Sequence, residues 1–151
     1  MTENTNIVAL MVKDHCKIEK LLNDFEAKID SDFNTMSKAF HDFEWELEKH
    51  IFIEERAIYT QYEPEDIAGG YKMLPKLTSQ HNFIINKLQT WRRDIHKRRP
   101  ITDVSKFKEF INKHKNFEEK DVYPLMDQTL DGEQKRQISF KITEIIKKME
   151  R

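Results

Sequence analysis

The sequence predicts an all-α protein, an up-and-down four-helix bundle with an additional C-terminal helix. Helix breakers are scarce, with Gly 3 and Pro 4 in 151 residues. Apolar residues recur at spacings of three and four, the period of a helix that buries one face. Alternating β-branched runs, which would mark strands, are few. Long helices joined by short loops bury such stripes against one another, and a chain of 151 residues has core enough for one domain, read here as residues 1–151.

The first helix is expected from Val8 to Ile29, with Met11, His15, Ile18, Leu22, Phe25 and Ile29 on one line. A break at Asp30 to Asn34 precedes the second, from Thr35 to Tyr62, whose stripe is Met36, Phe40, Phe43, Leu47, His50, Glu54 and Ile58. Pro64 and the Gly69-Gly70 pair are expected to end it. The third covers Met73 to Arg99 with Leu74, Leu77, His81, Ile84, Leu88, Trp91 and Ile95 in line, and Pro75 fits only in its first turn. The fourth begins at Thr102 as N-cap and carries Val104, Phe107, Ile111, His114, Glu118 and Val122 before Pro124 breaks it. The additional helix, Glu133 to Met149, uses Ile138, Ile142, Ile145 and Met149 and has no histidine.

Lys plus Arg is 26 against 27 for Asp plus Glu, an excess of neither sign, which argues against coating nucleic acid or an anionic membrane. The one dense basic run, Arg92 to Arg99, falls at the end of the third helix, where positive charge suits the helix dipole, so it reads as a solvated face. No apolar stretch approaches the roughly 20 residues that span a bilayer, and no export signal is evident. The lone Cys16 makes no internal disulfide or thiolate cluster, which suits a reducing compartment; the cytoplasm is expected. Cys16 lies about 100° from His15 around its helix and reads as an ordinary helix cysteine.

The chemistry lies in the histidines. His15, His50, His81 and His114 fall one per long helix on the apolar stripes, while His41 and His96 lie off them. One histidine on such a stripe is ordinarily a hydrogen-bonded core residue. Here four coincide, and His50 and His114 are each followed four residues later by a glutamate on the same face, Glu54 and Glu118. Two buried carboxylates without a cation repel and lose hydration, whereas a metal pair removes the difficulty. Glu54 and Glu118 can bridge two cations, with the four imidazoles as terminal ligands and a vacancy left on each metal. Imidazole with carboxylate suits iron or manganese. Ferritin-like diiron sites need Glu-x-x-His and zincins His-Glu-x-x-His; neither occurs here. The segment His50 to Tyr59 also echoes His114 to Tyr123 in the order His, three residues, Glu-Glu, basic, any, β-branched, Tyr. Glu55 and Glu119, adjacent to the chosen carboxylates, are expected off the metal-facing line unless the helix is distorted.

These residues resemble the hemerythrin-like family, also described as the HHE cation-binding domain. The resemblance covers about residues 10–125: Asp14-His15, Ile18-Glu19, Leu21-Leu22, His50 to Glu54-Glu55, His81, and His114 to Glu118-Glu119 with Tyr123-Pro124. It implies a non-haem diiron centre with carboxylate and oxo or hydroxo bridges. His15 and His50 would bind one iron, His81 and His114 the other, with Glu54 and Glu118 between them. Oxygen-carrying hemerythrins have a further histidine where this chain has Ile85, and place the last carboxylate five residues after its histidine, which would select Glu119. The pattern is closer to members linked to iron sensing, peroxide removal, nitric oxide chemistry or repair of damaged iron centres. The repair proteins usually carry a cysteine-bearing N-terminal region that this sequence lacks.

The expected function is therefore that of a diiron protein reacting with O2 or H2O2, with peroxide decomposition as the candidate enzymatic activity. The alternative is an iron or oxygen sensor, or an NO-responsive repair protein, acting through a protein partner. Tyr59 and Tyr123, beyond the glutamates, can donate hydrogen bonds to the ligands or supply electrons. A metal-free structural bundle is the third reading, and it predicts a fold indifferent to iron.

Overall fold

A computed structural model describes residues 6–65 and 73–149, all of them helical or in short connections. Helix α1 (Ile7–Lys28) starts from Asn6, whose side chain accepts the Ala9 amide at 3.0 Å. Helix α2 (Phe33–Ile53) begins two residues before the expected Thr35, because Asp32 caps it by accepting the Thr35 amide at 2.9 Å. The path then passes through a π turn (Glu54–Ile58) into α3 (Tyr59–Glu65). Pro64, expected beyond the helix, falls in the last turn of α3, where its missing N–H costs only a terminal hydrogen bond. Gly69 and Gly70 lie outside the described residues.

Helix α4 (Met73–His96) stops three residues short of the expected Arg99. Arg98 has φ 56° and closes the end: its amide donates to the Ile95 carbonyl at 3.1 Å and that of Arg99 to Asp94 at 2.7 Å, a Schellman arrangement. Glycine usually fills this left-handed position; here the Arg98 guanidinium lies 3.9 Å from the Phe33 ring centre. Helix α5 (Val104–Phe117) is preceded by Asp103 at φ 67° rather than capped by Thr102, whose carbonyl instead accepts the indole N–H of buried Trp91 at 3.0 Å. A second π turn (Glu118–Val122) leads into α6 (Tyr123–Thr129). Pro124 does not break the path: it stands in the first turn of α6, where the absent N–H has no obligatory partner. Helix α7 (Gly132–Met149) opens with a capping box in which Asp131 and Gln134 exchange amide-to-side-chain bonds of 2.8 and 2.9 Å.

The up-and-down bundle is α1, α2, α4 and α5, with α7 laid across the end of α2 and its π turn. The apolar interior divides in two. One half, holding Phe25, Phe40, Phe43, Trp91 and Phe107, is aromatic, with ring centres 4.8 to 6.5 Å apart. The other joins Ile7, Met11, Ile53, Ile58, Leu77 and Val122 to Ile138, Ile142 and Ile145 of α7. The four stripe histidines occupy the layer between the halves, His15 for example between Met11 and Ile18. Among the described residues no helix is long and apolar enough to cross a membrane.

Candidate metal centre

Each bundle helix delivers one histidine to this layer, and α2 and α5 each add a glutamate where α-helix gives way to π turn. Glu54 and Glu118 are fully buried, and His15, His50, His81 and His114 are no more than 6% exposed. Their donor atoms form two overlapping groups, His15-His50-Glu54-Glu118 and Glu54-His81-His114-Glu118, each with all its atoms within 4.8 Å of one another. Neighbouring donors are closer: His15 Nε2 lies 3.1 Å from His50 Nε2 and 3.0 Å from Glu118 Oε1. Glu54 Oε1 stands 3.3 Å from His50 Nε2 and 3.2 Å from His81 Nε2, and His114 Nε2 lies 3.2 Å from Glu118 Oε1.

The donor set passes a test of fit to metal. Ligands bound at about 2.1 Å to one ion sit about 3 Å apart when adjacent, the separation found here. Glu54 Oε1 and His81 Nε2 are buried with no hydrogen-bond partner, although they face each other at 3.2 Å. Buried polar atoms rarely go unpaired, and a cation between these two would satisfy both. Nitrogen and carboxylate oxygen in this ratio suit iron or manganese, and no thiolate is present.

The outward ring nitrogens are all engaged. Nδ1–H of His15 donates to Glu119 at 2.7 Å, that of His81 to Glu55 at 2.8 Å, that of His50 to Asp14 at 3.3 Å, and that of His114 to the Gln80 carbonyl oxygen. These bonds fix the tautomer that leaves Nε2 facing inward. Glu55 and Glu119 thus stay outside the donor groups, as expected for residues one step round the helix, and hold the rings from behind. Asp14 entered the sequence reading only as the neighbour of His15 in the family resemblance, and Gln80 not at all; each immediately precedes a stripe histidine, which was the available signal.

The π turns place the tyrosines. In an α-helix five residues rotate by about 140°, which would carry Tyr59 away from Glu54. The extra residue of the π turn, closed by the Tyr59 amide on the Glu54 carbonyl, returns it to the same side. Tyr59 donates to Glu118 Oε2 at 2.9 Å, and Tyr123 to Glu54 Oε2 at 2.6 Å. Tyr123 also approaches His15 Nε2 and Glu118 Oε1, both at 3.2 Å.

The charges are tightly linked. Burial and the two carboxylates push both phenols well above their usual range, so they remain proton donors. Burial works against a charged His50, but the Glu54 carboxylate and the Asp14 hydrogen bond raise it to about 10. His81 rises to about 11, against burial, through Glu118, Glu54 and Glu55. Burial opposes ionisation of Glu118, yet the imidazoles of His114, His15 and His81 and contact with Glu54 hold it well below the ordinary carboxylate range. Asp14 is lowered as well, burial being outweighed by His50. In the metal-free chain, the raised His50 and His81 put positive charge beside the buried carboxylates, where a cation would otherwise stand.

Other sequence candidates stay outside the layer. Cys16 is exposed, as are His41 and His96. The cations of the basic run lie at the surface, where Arg92 reaches back to Glu44 at 2.7 Å through Nε and Arg98 lies over Phe33.

Comparison with curated proteins and with solved structures returned no match. Among protein families, residues 6–126 match the one described as Hemerythrin HHE cation binding domain. That span begins at the cap of α1, takes in every donor of both groups, and stops within α6, leaving α7 outside. The resemblance first carried by the four histidines and two glutamates is thereby a membership: the chain belongs to the hemerythrin HHE cation-binding family.

Proposed function

We propose that His15, His50, Glu54, His81, His114 and Glu118 hold two iron ions, with Glu54 and Glu118 shared between them, and that the loaded centre reacts with O2 or H2O2. The observation that carries this reading is the pair of overlapping donor groups with two buried atoms left unpaired. Two adjacent irons supply Lewis acidity and the two electrons of peroxide reduction. The chain's own part is to present neutral imidazole nitrogens inward, offset the ionic charge with two carboxylates, and exclude bulk water by burial. Tyr59 and Tyr123 keep a proton on each carboxylate's far oxygen side, poised to follow charge that develops at the centre. A position that a further histidine would fill is Ile85, partly buried against the aromatic half, so the second group has one nitrogen donor fewer than an oxygen carrier's. A reducing compartment, such as the cytoplasm, suits the free Cys16.

Iron content and the ultraviolet-visible spectrum of anaerobically loaded protein, before and after O2 and then H2O2, test the proposal. About two irons per chain, new charge-transfer absorption and catalytic loss of peroxide are expected. Iron far below two per chain, with no absorption change, would bring the proposal down.

A sensor is the second reading, and one observation favours it: α7, outside the family match, packs directly on the π turn that follows Glu54. A change at Glu54 would then reach a surface helix. Two irons with one stoichiometric spectral change and no turnover would select it.

A further inference from the structure

The centre is built as two matching halves, and one residue breaks the match. Exchange α1 with α4 and α2 with α5, and nearly every contact maps onto another. The His15 bond to Glu119 becomes the His81 bond to Glu55, at 2.7 and 2.8 Å. Tyr59 on Glu118 becomes Tyr123 on Glu54. The Tyr123 ring stacked on His15 at 5.7 Å becomes Tyr59 on His81 at 6.0 Å. The His15-His50 ring pair, 4.7 Å apart, becomes His81-His114 at 5.0 Å. The last contact changes chemistry: His50 donates to the Asp14 carboxylate, but His114 donates to the uncharged Gln80 amide.

This rests on the proposed metal centre. A carboxylate behind an imidazole makes the ring a stronger donor and offsets part of the cation's charge, whereas an amide only orients it. We propose that Gln80 makes the two metal positions unequal, so that the position formed by His81 and His114 binds its ion more weakly and empties first. The His15-His50 position has carboxylates behind both rings; its counterpart has one, Glu55, which is 40% exposed and correspondingly screened, and an amide. Gln80 is a positioning residue: it acts on the metal through His114.

The test is calorimetric titration of the metal-free chain with Co(II), comparing wild type, Q80E, D14N and Q80L. A symmetric pair also loads in two steps, because the second cation meets the charge of the first, so the diagnosis rests on which variant moves which step. Q80E should tighten the weaker step about tenfold and leave the stronger one in place. D14N should weaken the stronger step by a similar factor, closing the gap from the other side. Q80L, which removes the bond without adding charge, should weaken the weaker step further. Asp14 pairs with His50 in the metal-free chain, so D14N should also lower the melting temperature of that chain; the titrations are therefore run well below the transition, where every variant is folded. If two ions bind but Q80E and D14N leave the gap unchanged, the role given to Gln80 is overturned and the metal centre stands. If wild type takes up no metal, the centre itself falls, and the inequality with it.

Discussion

Tyr123 reaches across the bundle to Glu54, its hydroxyl 2.6 Å from Oε2 of a carboxylate carried on another helix. Tyr59 makes the reciprocal bond to Glu118 at 2.9 Å. Each bond ties the residue that follows one π turn to the residue that opens the other. Hydrogen bonds to buried charges are worth about 1.5–3 kcal/mol, and Tyr123 also lies near His15 and Glu118. Tyr123→Phe should therefore destabilise the metal-free chain by about 2 kcal/mol, and more than Tyr59→Phe does, as read by urea unfolding. Equal, negligible losses would show that the hydroxyls contribute nothing to holding the layer.

Glu54 and Glu118 belong to both donor groups, whereas Glu55 touches only the back of one ring. Glu54→Gln is thus expected to lower metal content from two ions per chain toward one or none, while Glu55→Gln retains two with weaker binding. Metal analysis after gel filtration separates the variants. Full metal content in Glu54→Gln would remove that residue from the ligand set.

The aromatic half should tolerate damage without loss of the centre. Phe25 is fully buried among Phe40, Phe43 and Trp91. Phe25→Ala opens a cavity at an expected cost of about 3–5 kcal/mol, yet no donor atom rests on Phe25. Thermal unfolding should fall steeply while the number of ions bound at low temperature stays at two.

Asp32 gives a pH-dependent effect far from the metal. The Thr35 backbone amide and hydroxyl hold its carboxyl below the ordinary value of 3.8. A carboxyl lowered on folding adds stability above its unfolded pKa, and that contribution is lost as pH falls through the folded value. Asp32→Ala should melt below wild type at neutral pH, and the difference should shrink under acid conditions below 3.8. A difference that holds constant down to the acid limit would mean that the cap does not act through its charge.

The helices, and the meeting of four histidines and two glutamates in one layer, could be read from residue spacing because both obey one period: a face that must be buried repeats every three or four residues, and so do the polar side chains it carries. The interruptions were not legible in the same way. Ile58 continues the stripe from Glu54, and Val122 continues it from Glu118, so a regular helix accounted for both. Buried neighbours such as Ile58-Tyr59 and Val122-Tyr123 do not mark the extra residue, because Ala39-Phe40 and Glu46-Leu47 are buried side by side in the regular part of α2 as well. Helix ends were misplaced where a tertiary bond outranked local preference: Trp91 claims the Thr102 carbonyl, and Arg98 adopts a conformation usual for glycine. Behind the rings, Glu55 and Glu119 were legible beside the chosen carboxylates, but the roles of Asp14 and Gln80 were not, because each is adjacent in sequence to one histidine and bonds to another.

The division of the interior by its polar layer also governs timing. Every donor is closed off by apolar packing above and below, so an ion or small molecule passes only when helices part momentarily. With metal bound as proposed, exchange should then be paced by breathing of the bundle rather than by the strength of any single coordinate bond. A chelator should strip the loaded chain at a rate independent of chelator concentration once it is in excess. Loosening the aromatic half, though it touches no ligand, should quicken that rate.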